Sequence, residues 1–262
     1  GLVTNNVNGF PTRPGAFQTS FGGGVSDAVI SKFDEMGNDL IFSTYMGGLG
    51  DDQPHSLVVN SMNELLVLGR TDASNFPTAG SPFDNSKSGR NDAFVAKFSS
   101  SGNLLASTFF GGSGEDASNG SPDRSNYSPT KYNYGDDARG EVIVDENDNV
   151  WIACPTQSPA FNHVNAFQFT YAGSQDGLIA KFNSDLSSVL FSSYLGGTGI
   201  DAIHGIKQDL NGDIIVVGGT TSRDLRTSSN AHERVFQGGS ADGFIAKINV
   251  STNQLMNLTY VG

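Results

Sequence analysis

The sequence predicts an all-β fold built from four-stranded antiparallel units that repeat about every 65 residues. Three observations support this prediction. The composition, with 33 glycines, 18 phenylalanines and one tryptophan, is typical of many short strands and turns. A seven-residue phrase occurs four times, and a second, glycine-rich phrase recurs at a fixed position after it.

The first phrase reads "DAVISKF", "DAFVAKF", "DGLIAKF" and "DGFIAKI" in its four copies. Its lysines follow one another at intervals of 65, 84 and 66 residues and are Lys32, Lys97, Lys181 and Lys247. The wider middle interval indicates an insertion of 21 residues, 117–137, because a Gly-x-Asp sequence occurs twice there, at Gly114 and at Gly135.

Each unit divides into four predicted strands. The seven-residue phrase is the first strand, and segments of the types "LLASTFFGG", "GEVIVDE" and "NVWIACPT" are the second, third and fourth. Turn-forming stretches such as "SSSGN", "DENDN" and "DLNGD" lie between them. A repeated four-stranded antiparallel unit of this length is the sequence pattern of a β-propeller blade. A β-solenoid is the structural alternative, although its coils are normally shorter.

The units predict three complete blades and two partial ones. Residues 1–25 are the tail of a preceding blade, and residues 241–262 are the first two strands of a further blade. The complete blades are residues 26–90, 91–174 (with the insertion 117–137) and 175–240. The chain is therefore interpreted as a section of a larger propeller or repeat array. We also expect the "DAFVAKF" strand to be the innermost strand of its blade, where small alanines fit.

The repeat resembles the SBBP family of β-propeller repeats. The resemblance is carried by "SDAVISKF" and "FSTYMGGLGDD" in the first complete unit, and by "QDGLIAKF", "FSSYLGGTGID" and "DLNGDIIVVGGTTS" in the third. The second unit departs from the pattern through its insertion and through "CPTQSPAFN". The resemblance implies a secreted or surface-attached bacterial protein, with such repeats forming part of long multidomain chains and with no catalytic residue assigned to the repeat.

The recurrent charged residues are interpreted as architectural. The Gly-x-Asp aspartates, assigned as Asp52, Asp137 and Asp201, are expected to accept backbone hydrogen bonds and fix a turn, with calcium binding as the alternative role. A lysine within an apolar strand needs a partner, so Lys97 and Lys181 are expected within reach of an acidic side chain or a turn carbonyl. A Gly-x-Asp carboxylate is the expected partner, and an open, wet central channel is the alternative.

Composition excludes several classes of partner and site. The net charge of −12 argues against nucleic acid and anionic membrane surfaces, because both require clustered basic residues. No apolar stretch reaches the roughly 18 residues of a membrane span. Cys154 is the only cysteine, so an intrachain disulfide and a cysteine-based zinc site are excluded.

The sequence predicts a non-enzymatic extracellular scaffold or adhesion module, located outside the cell or on a bacterial cell surface. It would present its loops to protein or glycan partners and contact flanking parts of its own longer chain, and no cofactor or metal is expected. The insertion carries the candidate recognition residues, Tyr127, Tyr132 and Tyr134. The alternative is a carbohydrate-active enzyme, a glycoside hydrolase or lyase, with its site at the propeller mouth. No catalytic motif is present, but carboxylates from distant blades can form such a site.

Overall fold

The computed structural model describes residues 1–4, 9–119, 130 and 140–262. These residues form strands arranged in four antiparallel sheets of three or four strands, and they contain no α-helix, so the prediction of an all-β fold is confirmed. Nowhere in the described ranges is there a helix with the length and apolar character that a membrane span requires.

The strands follow one another through the sheets in chain order. The first sheet has three strands, β1 (Leu2–Thr4), β2 (Ser26–Phe33) and β3 (Leu40–Met46). The second has four strands, β4 (Asp52–Val59), β5 (Leu65–Thr71), β6 (Asp92–Phe98) and β7 (Leu104–Phe110). The third has β8 (Glu141–Val144), β9 (Val150–Thr156), β10 (Asp176–Phe182) and β11 (Val189–Leu195). The fourth has β12 (Asp201–Gln208), β13 (Ile214–Thr220), β14 (Asp242–Asn249) and β15 (Gln254–Val261).

The sheets do not follow the predicted unit boundaries. The glycine-rich turn at residues 47–51 leaves the first sheet at β3 and enters the second sheet at β4, whereas residues 72–91 lead from β5 back to its neighbour β6. Each four-stranded sheet therefore combines the last two strands of one predicted unit with the first two of the next. Residues 241–262 contain β14 and β15, which pair with β12 and β13 in the fourth sheet.

The expected position of the "DAFVAKF" strand is also wrong. β6 lies between β5 and β7, with Ala93 opposite both Arg70 and Phe110, so it is an interior strand of the sheet. The edge strands β4, β8 and β12 are the ones that approach neighbouring sheets. Burial explains the arrangement: all seven residues of β6 are buried, which requires hydrogen-bonded neighbours on both sides and cover on both faces.

Apolar side chains fill the spaces between successive sheets. Phe94 and Phe98 belong to the cluster between the first and second sheets, Phe182 to the next cluster and Phe244 to the last. None of the four is more than 2% exposed. Each contributes roughly 1.5–3 kcal/mol by burial, and the four phenylalanines thus fill the spaces between successive sheets.

Candidate functional site

Seven buried aspartates lie together at one end of the sheets, and we call them the aspartate belt. Four of them lead the "DAFVAKF"-type strands and three follow the glycine-rich turns. Their side chains are all in the buried class. The belt consists of Asp27, Asp52, Asp92, Asp116, Asp176, Asp201 and Asp242.

Within a sheet, a threonine separates two belt aspartates. In the second sheet Thr71 lies opposite Asp52 on one side and Asp92 on the other. The fourth sheet repeats this row with Asp201, Thr220 and Asp242, and in the third sheet Thr156 lies opposite both Asp116 and Asp176. The strand register therefore places the carboxyl groups in a single row across each four-stranded sheet.

Between sheets, the glycine-rich turn brings two belt carboxyl groups together. The N–H of Gly48 donates to Asp52 Oδ2 at 2.7 Å. A Cβ on the preceding Gly47 would lie 2.6 Å from Asp27 Oδ1 and 2.7 Å from Asp52 Oδ2. No side chain fits there without displacing a carboxyl group, so the first glycine of the turn allows carboxyl groups of two neighbouring sheets to approach each other.

Asp116, rather than Asp137, occupies the repeat position in the third sheet. Asp201 accepts hydrogen bonds from Gly197 N at 2.8 Å, from Ser222 Oγ at 2.7 Å and from the Thr220 hydroxyl. Asp116 accepts the corresponding bonds from Gly112 N at 2.8 Å, Ser158 Oγ at 2.8 Å and Thr156 Oγ1 at 2.5 Å.

The assignment of Asp137 to this position is therefore wrong, and Asp137 itself lies outside the described residues. The spacing of "GGSGED" matches that of "GGLGDD" and "GGTGID", and this signal identifies Asp116 from the sequence. The strand-leading aspartates were also visible in the sequence, as the first letter of the repeated phrase.

The belt is a buried cluster of like charges. No salt bridge between described residues involves a belt carboxylate. Burial raises the pKa of Asp52 to about 7, with Asp27 and Asp72 adding to the rise. Burial likewise raises the pKa of Asp176 to about 7, with a contribution from Asp201, and that of Asp116 to about 6. Asp52, Asp116 and Asp176 therefore take up protons near neutral pH, where exposed aspartates remain ionised.

Within the described part of the chain, three belt oxygens accept no hydrogen bond: Asp52 Oδ1 and the Oδ1 atoms of Asp27 and Asp176. No described residue donates to the Oδ1 atom of Asp27 or of Asp176, although both carboxyl groups are fully buried. Each of these oxygens faces the first glycine of a turn, across from the Asp52 or Asp201 carboxyl group.

Among the described residues, no three His, Cys, Asp or Glu side chains are grouped so that they could hold a metal ion.

The recurrent lysines lie at the opposite end of the sheets and pair with hairpin-turn groups. Lys181 Nζ lies 2.8 Å from Asp145 Oδ2 and 5.2 Å from the centre of the Trp151 ring. Lys97 Nζ lies 3.2 Å from Glu64 Oε2 and donates to the Ser184 carbonyl at 3.0 Å. The predicted contact of Lys97 and Lys181 with an acidic side chain or turn carbonyl is confirmed.

The expected pairing of these lysines with Gly-x-Asp carboxylates is wrong. Asp92 and Lys97 are five residues apart on β6, which places them about 17 Å apart along the strand. The belt and the lysines therefore mark opposite ends of the sheets. The side chain of Lys97 is only 9% exposed, which also argues against the wet-channel alternative.

The other two lysines follow the same pattern. Lys247 Nζ lies 2.7 Å from Asp209 Oδ2 and 3.1 Å from Asp213 Oδ2, both in the turn between β12 and β13. Lys32 donates to the carbonyl of Ser100 at 3.2 Å. Since Ser100 belongs to the sheet after that of Lys32, and Ser184 to the sheet after that of Lys97, these two lysines connect successive sheets.

The insertion begins immediately after Asp116. Its candidate recognition residues Tyr127, Tyr132 and Tyr134 lie outside the described residues. The described part of the insertion is fixed by polar contacts: Arg70 Nη1 donates to Ser118 Oγ at 2.9 Å. The Asn119 side-chain oxygen accepts hydrogen bonds from Thr130 Oγ1 at 2.8 Å and from Gln175 Nε2 at 2.9 Å. The insertion is thus anchored to the second and third sheets.

Comparison with known proteins identifies no family. No family model matches the chain, and no curated protein is similar to it. Among solved structures, the chain is similar to a protein of unknown function from Bacteroides caccae, with a TM-score of 0.38 and 10% sequence identity. The match covers 84% of this chain and 49% of the other, so this chain spans about half the length of that protein.

Proposed function

We propose that the four sheets are blades of a β-propeller of the SBBP type, and that the chain is a non-catalytic interaction scaffold. The order of the sheets supports the blade interpretation, because each sheet packs on the next through an apolar cluster and the edge strands β4, β8 and β12 approach one another. The resemblance of the repeat to SBBP sequences supports a place outside the cell or on a bacterial cell surface.

The observation that carries this proposal is the role of the recurrent residues. The belt aspartates are buried and accept hydrogen bonds from the turns, and the lysines bind turn groups of their own sheet or the next. The recurrent aspartates and lysines of the described residues are therefore used to connect strands or sheets. The features that differ among units are the connecting segments, and above all the insertion, which makes them the surfaces for partner recognition.

The alternative, a carbohydrate-active enzyme, would need two carboxyl groups that flank a bound sugar. The close carboxyl pairs of the belt are fully or almost fully buried. Their burial supports a structural role, and we favour the scaffold. Its partners would be proteins or glycans at the cell surface and flanking parts of a longer chain.

A glycan array and a polysaccharide hydrolysis screen test the proposal with the same purified chain. We expect binding without turnover, and loss of binding when Tyr127, Tyr132 and Tyr134 are all replaced by serine. The unchanged chain is the reference, and circular dichroism of the triple variant checks that it has kept the same strand content. Turnover of a polysaccharide that one carboxylate substitution abolishes would overturn the scaffold interpretation.

A further inference from the structure

A polar pocket of about 310 Å³ lies between the third and fourth sheets, on the side of the edge strand β15. Its walls are the first residues of β15, the segment that follows Leu225, and Phe167 from the connection between β9 and β10. Small-molecule pockets measure about 300–1,000 Å³, so this one has room for a small ligand. Five of its eight lining residues are polar: Arg226, Ser228, Ser229, Asn230 and Gln254.

The pocket is formed by two sheets that each have four paired strands. Gln254 and Met256 lie in the first three residues of β15, at the end of the sheet that carries the recurrent lysines. Gly262 lies beside Asp242, at the end that carries the aspartate belt. Along an extended strand the distance from Met256 to Gly262 is about 20 Å. The pocket therefore belongs to the interior of the repeat.

The space is open because a polar residue replaces a buried leucine. Between the second and third sheets, Phe83 N donates to the carbonyl of Leu186 at 3.0 Å, and Leu186 is fully buried. The hairpins of the third and fourth sheets have equal lengths, 183–188 and 249–254, so Thr252 is the counterpart of Leu186. Thr252 is exposed, and Phe167, the counterpart of Phe83, lines the pocket instead.

Arg226 gives the pocket a positive charge. Its Nη1 donates to the carbonyl of Phe167 at 3.3 Å, which holds the guanidinium against the third sheet. No carboxylate in the described part of the chain forms an ion pair with Arg226, and no acidic residue lines the pocket. A guanidinium has five N–H donors in a planar fork that fits a carboxylate. The remaining donors of Arg226 are therefore available to an anionic group.

A turn places two further polar side chains in the pocket lining. Ala231 N donates to the carbonyl of Ser228 at 3.1 Å, so Ser229 and Asn230 are the central residues of a turn. Leu258 N donates to Ser228 Oγ at 2.9 Å, which fixes the turn to β15. As far as the structure describes the chain, the side chains of Ser229 and Asn230 make no hydrogen bond. A hydroxyl and an amide both donate and accept, as the hydroxyl groups of a sugar do.

These groups favour a ligand with one negative charge and several hydroxyl groups. A phosphate monoester carries about two negative charges at neutral pH and three strong acceptor oxygens, which several basic groups or backbone N–H groups usually bind. This pocket has one cationic side chain among neutral hydroxyl and amide groups. A sugar carboxylate matches this arrangement, with its hydroxyl groups on Asn230 and Gln254. The apolar face of the sugar ring can pack against Phe167.

We propose that this pocket binds a uronic acid residue of an acidic glycan, with the sugar carboxylate paired to Arg226. The inference rests on the proposed scaffold function, and it names the class of glycan and the place where the glycan binds. None of the lining residues belongs to the insertion, so this site is separate from the candidate recognition tyrosines.

The test uses the intact chain and the sodium salt of methyl β-D-glucuronide in a ligand-observed NMR titration. Binding should be saturable with a Kd of about 1 mM, the affinity expected of a ligand this small. Methyl β-D-glucoside has no carboxylate and should bind about tenfold more weakly or not at all. N-acetylglutamate amide has a carboxylate but no sugar hydroxyl groups, stands for an acidic peptide partner, and should show the same loss.

Two variants test the place of binding. Arg226→Gln should weaken glucuronide binding about tenfold or more, because the cation is removed. Arg13→Gln is its matched control, since Arg13 is an exposed arginine of the first sheet's connecting segment and its loss should have little effect. Ser229→Trp should block the pocket, whereas Ser240→Trp, at an exposed position outside the lining, should not. Circular dichroism checks that all four variants are folded.

Four results would overturn the inference. One is the absence of saturable glucuronide binding. Another is equal binding of the glucuronide and the glucoside, and a third is equal binding of the glucuronide and the glutamate derivative. The last is binding by folded Arg226→Gln or Ser229→Trp that equals binding by its control.

Failure of this inference and failure of the scaffold function give different results. Glycan binding on the array without glucuronide binding in the titration would overturn the pocket assignment and leave the scaffold function standing. Turnover of a polysaccharide would overturn the scaffold function. Loss of glucuronide binding in Arg226→Gln would place the sugar in this pocket in either case.

Discussion

Asp176 and Asp201 belong to different sheets, yet their carboxyl groups lie on either side of the same glycine. A Cβ on Gly196 would lie 2.6 Å from Asp176 Oδ1 and 2.9 Å from Asp201 Oδ2. The two aspartates are 25 positions apart in the sequence and meet only because the glycine-rich turn crosses from the third sheet to the fourth. The same relationship joins Asp27 and Asp52 across Gly47.

Replacing Gly196 with alanine should therefore destabilise the protein. The added methyl group would overlap both carboxyl groups, and overpacking of this kind costs about 1–3 kcal/mol. Gly219→Ala is the matched control, because a Cβ there would make ordinary contacts of 3.5 Å with His204 and Thr130. Urea unfolding of both variants measures the difference, and equal stability of the two variants would contradict the proposed crowding at Gly196.

The stability of the protein should fall as the pH rises from about 4 to about 7. An unfolded aspartate has a pKa of about 3.9, whereas burial raises that of Asp52 and Asp176 to about 7 in the fold. Between these two pKa values the folded state binds more protons than the unfolded state. The free energy of unfolding is therefore highest at a pH below the unfolded pKa, and it falls as the pH rises through the pKa of the folded state. Thermal unfolding at constant ionic strength checks this, and a melting temperature that rises across the window would contradict it.

The change Asp176→Asn should reduce this dependence on pH. The amide oxygen can keep the hydrogen bonds that Asp176 Oδ2 accepts from Ala172 N and Gln168 Nε2, and the amide N–H group can donate toward Asp201. We expect the variant to be about 1 kcal/mol or more stable than the unchanged chain at a pH of about 8, and little different at about 4.5. Glu146→Gln, at an exposed position, is the control and should leave the pH dependence unchanged.

The sequence predicts the strands and their period, but not how the strands are grouped into sheets. Apolar runs and turn residues mark each strand, and the all-β prediction needed nothing more. A repeated sequence has no natural starting point, however, so any four successive strands can be taken as one unit. The grouping depends on whether the turn at 47–51 or the segment 72–91 crosses between sheets, and tertiary packing decides this.

In the candidate site, too, some features can be predicted from the sequence and others depend on how the sheets pack together. The turn-fixing role of a repeated aspartate and the need of Lys97 for a partner follow from residue type and local pattern. The pairing of Asp27 with Asp52 does not, because it joins two sheets. The expected carboxylate partner of Lys97 is wrong for the same reason: its actual partner, Glu64, lies in the hairpin turn just before the neighbouring strand β5, and only the strand register brings that turn to the lysine's end of the sheet.

The change Lys181→Met should destabilise the protein by roughly 1–3 kcal/mol, because it leaves the Asp145 carboxylate without its cation partner. Asp145 is 3% exposed in its side chain. Burial alone would raise the pKa of Asp145. Hydrogen bonds from Lys181 and Asn149 outweigh this effect and hold the pKa of Asp145 below its ordinary value. Lys207→Met is the control. The side chain of Lys207 is 74% exposed, so its ion pair with Glu141 should contribute little to the free energy of unfolding.

A double-mutant cycle with Asp145→Asn separates the ion pair from other effects of the methionine. Asn60 accepts the corresponding turn hydrogen bonds from Met62 N and Glu64 N in the second sheet, so asparagine at position 145 should preserve the turn. In the Asp145→Asn background, Lys181→Met should cost less than in the unchanged chain, because no carboxylate remains unpaired. Urea unfolding of the four proteins gives the coupling energy, and a value of zero would show that Lys181 stabilises the fold through Trp151 and other apolar contacts instead.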